Sequence, residues 1–141
     1  MPLLNYTTTI AAGKTVTEIQ LMLAKAGAKQ IVIRFDADAQ PESLWFELNS
    51  EMYLLPCRAE KVLAILERTS GVPAKLRTPD QARRVAWRII KDWVEAQAAI
   101  ISTGMVDAQE VMLPYMITHD DKTVYDQFRE QRAERLLEQK P

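Results

Sequence analysis

The segment QARRVAWRIIKDWVEAQ, residues 81–97, holds the residue types and spacing best suited to ligand chemistry. On a helix, Ala82, Val85, Ala86, Ile89, Trp93, Ala96 and Ile100 fall on one broad apolar arc. Arg84, Arg88, Lys91 and Glu95 line up opposite, and Arg83 and Trp87 sit towards one border between the two. Arginine forks bind phosphate oxygens, and an indole beside them can stack a base. Lys75 and Arg77, just before the segment, extend the basic set, and Arg34 and Trp45 on an outer sheet face would add to it. The expected ligand-binding residues are therefore Lys75, Arg77, Arg83, Arg84, Trp87, Arg88 and Lys91. A plainer use of the same residues stays open. Arg88 with Asp92, and Lys91 with Glu95, are i,i+4 pairs, which a solvated helix face carries at about 0.2–0.5 kcal/mol each. Trp87 would then pack against a neighbouring helix or a subunit.

Gly13-Lys14-Thr15 resembles the end of a phosphate loop, but the loop's first glycine falls on Thr8. A β-branched residue there does not fold tightly around phosphates. Thr15-Val16-Thr17-Glu18 fits a capping box instead, starting a helix. His119 is the single histidine, so one chain cannot assemble a Ser-His-Asp triad or a multi-histidine metal site. His119-Asp120-Asp121 are adjacent residues of a turn and do not converge readily on an ion. Asp36 and Asp38 read as turn residues. Cys57 would be a reactive thiolate at a helix N-terminus, but a small buried residue is the simpler expectation. Tyr115 and Tyr125 are expected to pack. No catalytic residue, metal site or cofactor is expected, and the chain reads as non-enzymatic.

These residues need elements to hold them. Residues 5–10, rich in Thr and Tyr, read as a short strand, and a helix follows over 15–26, stopped by Gly27. Residues 30–35, 43–48 and 52–55 alternate in polarity and form an antiparallel meander. A helix at 58–68 buries Ala59, Val62, Leu63 and Leu66, and residues 74–77 are extended. Thr78-Pro79-Asp80-Gln81 is a helix start with Gln81 closing the cap, and the helix runs to about Ser102. Asp107 to Glu110 opens a short helix that Pro114 limits, and residues 118–122 turn. Thr123 begins a last, strongly charged helix with few apolar positions, Val124, Phe128, Leu136 and Leu137, read as peripheral or partner-contacting. The fold class is α+β: a small antiparallel sheet of about four strands, helices packed on one face, and a long C-terminal helical region. The division expected is one domain over residues 1–122 and a charged helix over 123–141.

The 141 residues, 48% hydrophobic and 26% charged, suit one globular domain. The lone cysteine excludes an internal disulfide and fits a reducing compartment. No apolar run is long enough to span a bilayer, and the start MPLLNYTTT lacks the pattern of a signal peptide. Net charge is −1, but residues 58–91 carry nine Lys/Arg against three Asp/Glu. An anionic partner would be drawn to that stretch.

KTVTEIQLMLAKAGA, QARRVAWRIIKDWVEAQ, EVMLPYMI and TVYDQF together resemble a family of small proteins encoded by bacteriophages and prophages. The likeness covers most of residues 5–128. It implies the cytoplasm of a host bacterium and no particular chemistry. The reading that follows is a binding protein for a phosphate-rich ligand, single-stranded nucleic acid or a nucleotide, working as a homo-oligomer and away from membranes. Two alternatives remain: a counter-defence protein that sequesters a nucleotide signal or inhibits a host protein, and an assembly protein whose long helix is an oligomer contact.

Overall fold

A computed structural model describes residues 3–139 of the chain. The first two and last two positions, including the end of the expected charged helix, lie outside the described residues. The fold is α+β. A three-stranded antiparallel meander, β1 (Gln30–Phe35), β2 (Pro41–Leu48) and β3 (Glu51–Pro56), is ordered β1-β2-β3. Five helices accompany it: α1 (Ala12–Lys25), α2 (Ala59–Arg68), α3 (Pro79–Ser102), α4 (Ala108–Met112) and α5 (Val124–Glu138).

Alternation sets the two faces of the sheet. Ile31, Phe46 and Tyr53 stand in register across the strands, as do Ile33, Leu44 and Leu55. Phe46 and Tyr53 stack with ring centroids 5.3 Å apart. These rows meet Val16, Ile19 and Leu23 of α1 and Trp87 and Val94 of α3 in the main core. The opposite face carries the row Val32, Trp45 and Leu54. Asn49 and Ser50 close the β2–β3 hairpin, both with positive φ (53° and 70°). That is the backbone a two-residue hairpin turn requires.

The sheet has three strands and not four. Residues 5–10 form turns, with Asn5 at φ 64°. Their carbonyls find no ladder; Nε2 of Gln81 donates to the backbone oxygens of Tyr6 and Thr8, each at 2.9 Å. Gln81 thus ties down the N-terminal segment instead of closing its own helix cap. The cap itself forms, with Thr78 Oγ1 accepting from the Gln81 N–H at 3.1 Å and Pro79 opening the helix. The free edge of β3 receives a single bridge, Tyr53 to Met116, and the Ile117 N–H donates to the Met52 carbonyl at 2.8 Å.

α1 begins at Ala12, ahead of the expected start, and Gly13, Lys14 and Thr15 are all helical. Thr15 is fully buried and caps nothing. Glu18 reaches Arg88 of α3 instead of its own helix start. Residues 74–76 form a 3-10 turn where an extended segment was expected. Gly27 ends α1 at φ 107°, a conformation that costs a residue with a Cβ.

α3 touches both α1 and α2 and lies over the sheet, so it is buried around most of its circumference. Its Trp87 is completely buried, and the indole Nε1 donates to the Pro41 carbonyl at 3.1 Å. Leu66, Val72 and Ala82 make a second small core between α2 and α3. The Trp87→Phe variant removes the buried donor to the Pro41 carbonyl. We expect a loss of about 1–3 kcal/mol in urea unfolding with an unchanged m-value. Ser50→Gly relieves the left-handed backbone of the hairpin and should raise stability by roughly 0.5–1 kcal/mol in the same assay.

Candidate functional site

The seven expected ligand-binding residues do not form one exposed stripe. Trp87 stands at the centre of the core, with no ring face open to a ligand. The single-helix reading placed it at a border; packing on α1, α2 and the sheet widens the buried arc until it includes this position. Arg88 is mostly buried and pairs with Glu18 at 2.5 Å, its guanidinium also reaching Thr15 Oγ1 at 3.4 Å. Its partner lies on another helix and is not the Asp92 expected from spacing. Asp92 instead accepts from the Asn5 amide at 2.9 Å. Lys91 pairs with Glu95 at 2.6 Å, and Arg83 with Asp80 at 2.5 Å. Arg84 is half-buried and donates to the Gln81 side-chain oxygen at 3.2 Å. Lys75 and Arg77 are exposed, with Arg77 donating to the Thr69 carbonyl at 3.2 Å. Among the described residues, Lys75, Arg77 and Arg84 have no carboxylate partner, whereas Arg83, Arg88 and Lys91 do.

An exposed basic and aromatic helix face does exist, on α5. At 3.6 residues per turn its residues segregate. Tyr125, Phe128, Arg129, Arg132, Arg135 and Leu136 share a sector of about 120°. Asp126, Glu130, Glu134 and Glu138, four apart, occupy the opposite side. From Phe128 onward every described residue of the helix is exposed. Tyr125 is 48% exposed and Phe128 54%. Among the described residues no carboxylate pairs with Arg129, Arg132 or Arg135; the one ion pair of this helix joins Glu130 to Lys122 at 2.7 Å. The Arg129 guanidinium carbon lies 6.0 Å from the Tyr125 ring centroid, within cation–π reach.

The first turn anchors this helix. Thr123 and Asp126 form a reciprocal capping box, and Gln127 donates to Thr118 Oγ1 at 2.8 Å. The Val124 N–H donates to the Met116 carbonyl at 2.9 Å. Where α5 leaves the body, a cleft of about 240 Å3 opens between Leu54, Pro56, Arg58, Tyr115, Thr123 and Tyr125. The signal for this face was in the sequence. Arginines three apart beside Tyr125 and Phe128, with carboxylates four apart, mark two sides of one helix, but the low apolar content draws attention away from them.

The other titratable candidates are occupied locally. Asp36 Oδ1 accepts from the Asp38 and Gln40 N–H groups at 2.9 and 3.0 Å, closing the β1–β2 turn. His119 lies 3.2 Å from Asp120, both exposed. Among the described residues no group of three His, Cys, Asp or Glu side chains converges as a metal site. Nor is any helix long and apolar enough to cross a membrane. Cys57 borders a cavity of about 260 Å3 shared with Glu42, Glu60 and Arg83. Burial, then the nearby Glu60 carboxylate, pushes its thiol up to about 12, against partial relief from the Ala59 N–H and Arg83. It is therefore no thiolate nucleophile at neutral pH. The Tyr53 hydroxyl is also raised, first by burial and then by Glu51 and Asp107.

No protein-family model, curated protein or solved structure matches this chain.

The thiol and the phenol give a pH prediction. Both are held neutral in the fold and lose their protons more readily when unfolded. The Cys57 contribution is complete below pH 9.0, the ordinary thiol value, and is lost as pH rises towards about 12, while that of Tyr53 is complete below 10.0 and falls above it. Denaturation midpoints should fall through this range, and Cys57→Ala should make the fall shallower. Iodoacetamide at mildly alkaline pH should label Cys57 in urea far faster than in the native protein.

Proposed function

We propose that this chain is a non-enzymatic binding protein for a phosphate-rich ligand, single-stranded nucleic acid in particular, and that α5 receives it. The observation that carries the reading is the exposed face on which Tyr125 and Phe128 lead into Arg129, Arg132 and Arg135, none of which has a carboxylate partner among the described residues. Guanidinium groups supply phosphate contacts and flat rings supply stacking that every base can use. Successive arginines rise by about 4.5 Å along the helix, so the three cover about 9 Å. That matches a short run of backbone phosphates and not a single ion. Lys75, Arg77 and Arg84 add positive potential near the start of α3. The bacteriophage resemblance is in keeping with such a role in a bacterial cytoplasm.

Fluorescence anisotropy with labelled oligothymidylate tests the reading. Affinity should fall with salt, with a log–log slope of about −2 if three phosphates are neutralised on a single strand. Replacing Arg129, Arg132 and Arg135 together by Gln should lower affinity at least tenfold at low salt and flatten that slope. The paired Arg83, as Arg83→Gln, should leave binding nearly unchanged. Absence of oligonucleotide binding, or binding to anionic phospholipid vesicles alone, overturns the proposal. Loss of binding in an Arg77→Gln, Arg84→Gln double variant but not in the α5 triple variant would move the site to α3.

A further inference from the structure

The cleft at the root of α5 has a composition that the arginine face alone does not require. Its walls are apolar, from Leu54 and Pro56 of β3 and from Pro114, and it is flanked by two phenol rings. One cation, Arg58, lines it. Arg58 is exposed, occupies the N-cap position of α2 without a side-chain capping bond, and pairs with no carboxylate among the described residues. The carboxylate that lines the cleft, Asp126, is committed to the Thr123 N–H in the capping box. Trp93 meets the Tyr115 ring edge-on, centroids 5.5 Å apart at 71°, and so fixes its orientation. Tyr125 faces the cleft and carries Arg129 over its ring.

We infer that this cleft is a nucleobase subsite, in which Tyr115 and Tyr125 hold one unstacked base and Arg58 contacts the adjoining phosphate. The inference rests on the reading of α5 given above and extends it. A volume of about 240 Å3 lies below the about 300–1,000 Å3 of sites for drug-sized ligands, and it suits a single flat ring system. Among the described residues the phenol hydroxyls make no hydrogen bond within the chain, which leaves them to address the edge of the base. The subsite is continuous with the basic face: from Tyr125 the same side of the helix leads to Arg129, Arg132 and Arg135. A strand would enter the cleft with one base and run outward along the arginines. Both ribose and deoxyribose backbones offer this chemistry.

The test compares intact strands with abasic strands of the same length, in deoxy and ribo series. The abasic backbone keeps the phosphates and removes the bases. The native protein should bind the intact strand about fivefold or more tightly than the abasic one. A difference in either series that Tyr125→Leu narrows supports the subsite and identifies its sugar; a difference that Tyr125→Leu leaves whole belongs to stacking on Phe128 and overturns the subsite. Tyr125→Leu should take intact-strand binding most of the way to the abasic level, Phe128 keeping the remainder, without changing abasic binding or the salt slope. Tyr125→Phe, which keeps the ring, should retain most of the preference, and Arg58→Gln should weaken both strands. Unchanged far-ultraviolet circular dichroism and melting in Tyr125→Leu would show that the fold is intact. Equal affinity of the native protein for intact and abasic strands overturns the subsite while leaving the arginine face standing. Equal loss of both strands in Tyr125→Leu, with Arg58→Gln silent, also overturns it. Failure of both strands to bind removes the proposed function and this inference together.

Discussion

The burial of Trp87 is the constraint on which the rest of the structure depends. Its indole fills the space between α3 and the sheet and spends its only donor on the carbonyl that opens β2. With that anchor in place, α3 cannot roll. Its sides are then fixed against α1 and α2, and its cations must be reconciled with neighbours brought close by the fold. Arg88 is the clearest case. A mostly buried guanidinium facing another helix needs a compensating charge, and Glu18 supplies it. The helix that looks most like a receptor in isolation is thus the structural axis of the molecule.

α5 lives under the opposite regime. It has no buried residue, and its most extensive contact with the body is with the segment Leu113–Tyr115, made from its N-terminal end. A helix of this length in water is marginal without tertiary packing. The capping box, the Lys122–Glu130 pair and the bond from Gln127 to Thr118 concentrate support where the helix starts. Beyond that point nothing within the fold accounts for a separation of arginines and carboxylates onto two sides. Mixing the signs along i,i+4 pairs would serve stability and solubility better.

The legible parts of the sequence are those governed by local physics. The alternation from Gln30 to Leu55 yields the three strands and their inward rows. Thr78 with Pro79, Asp107, and Thr123 all mark helix starts that form. What was not legible depends on partners far away in the chain. Residues 5–10 have the β-branched content of a strand, yet Gln81 satisfies their carbonyls, a contact that no local window contains. Thr15 and Glu18 have the spacing of a capping box, yet Arg88 competes for the carboxylate and α1 begins a turn earlier. A helical wheel assumes one buried side, and Trp87 falls outside that assumption because three elements enclose α3. The candidate site suffered most, since exposure and free charge are properties of the assembled fold.

A net charge of −1 argues against a nucleic-acid ligand, and within α5 alone four carboxylates outnumber three arginines. The objection weakens once distances are considered. A helix with its side chains is about 10–12 Å across, and the Debye length at physiological salt is about 8 Å. Phosphates lying along the middle of the arginine side would therefore be about a screening length from Glu134 on the far side, whereas Asp126 and Glu138 border the arginines as i,i+3 neighbours of Arg129 and Arg135, and Asp126 and Glu130 share a hollow with Arg129. Such phosphates would meet the guanidinium groups at contact and Glu134 only through screened solvent. The arrangement also gives the helix a direction across its width. An approaching polyanion is repelled from the acidic side and turned towards the rings and arginines. Segregation of charge, and not its sum, decides what this surface can hold.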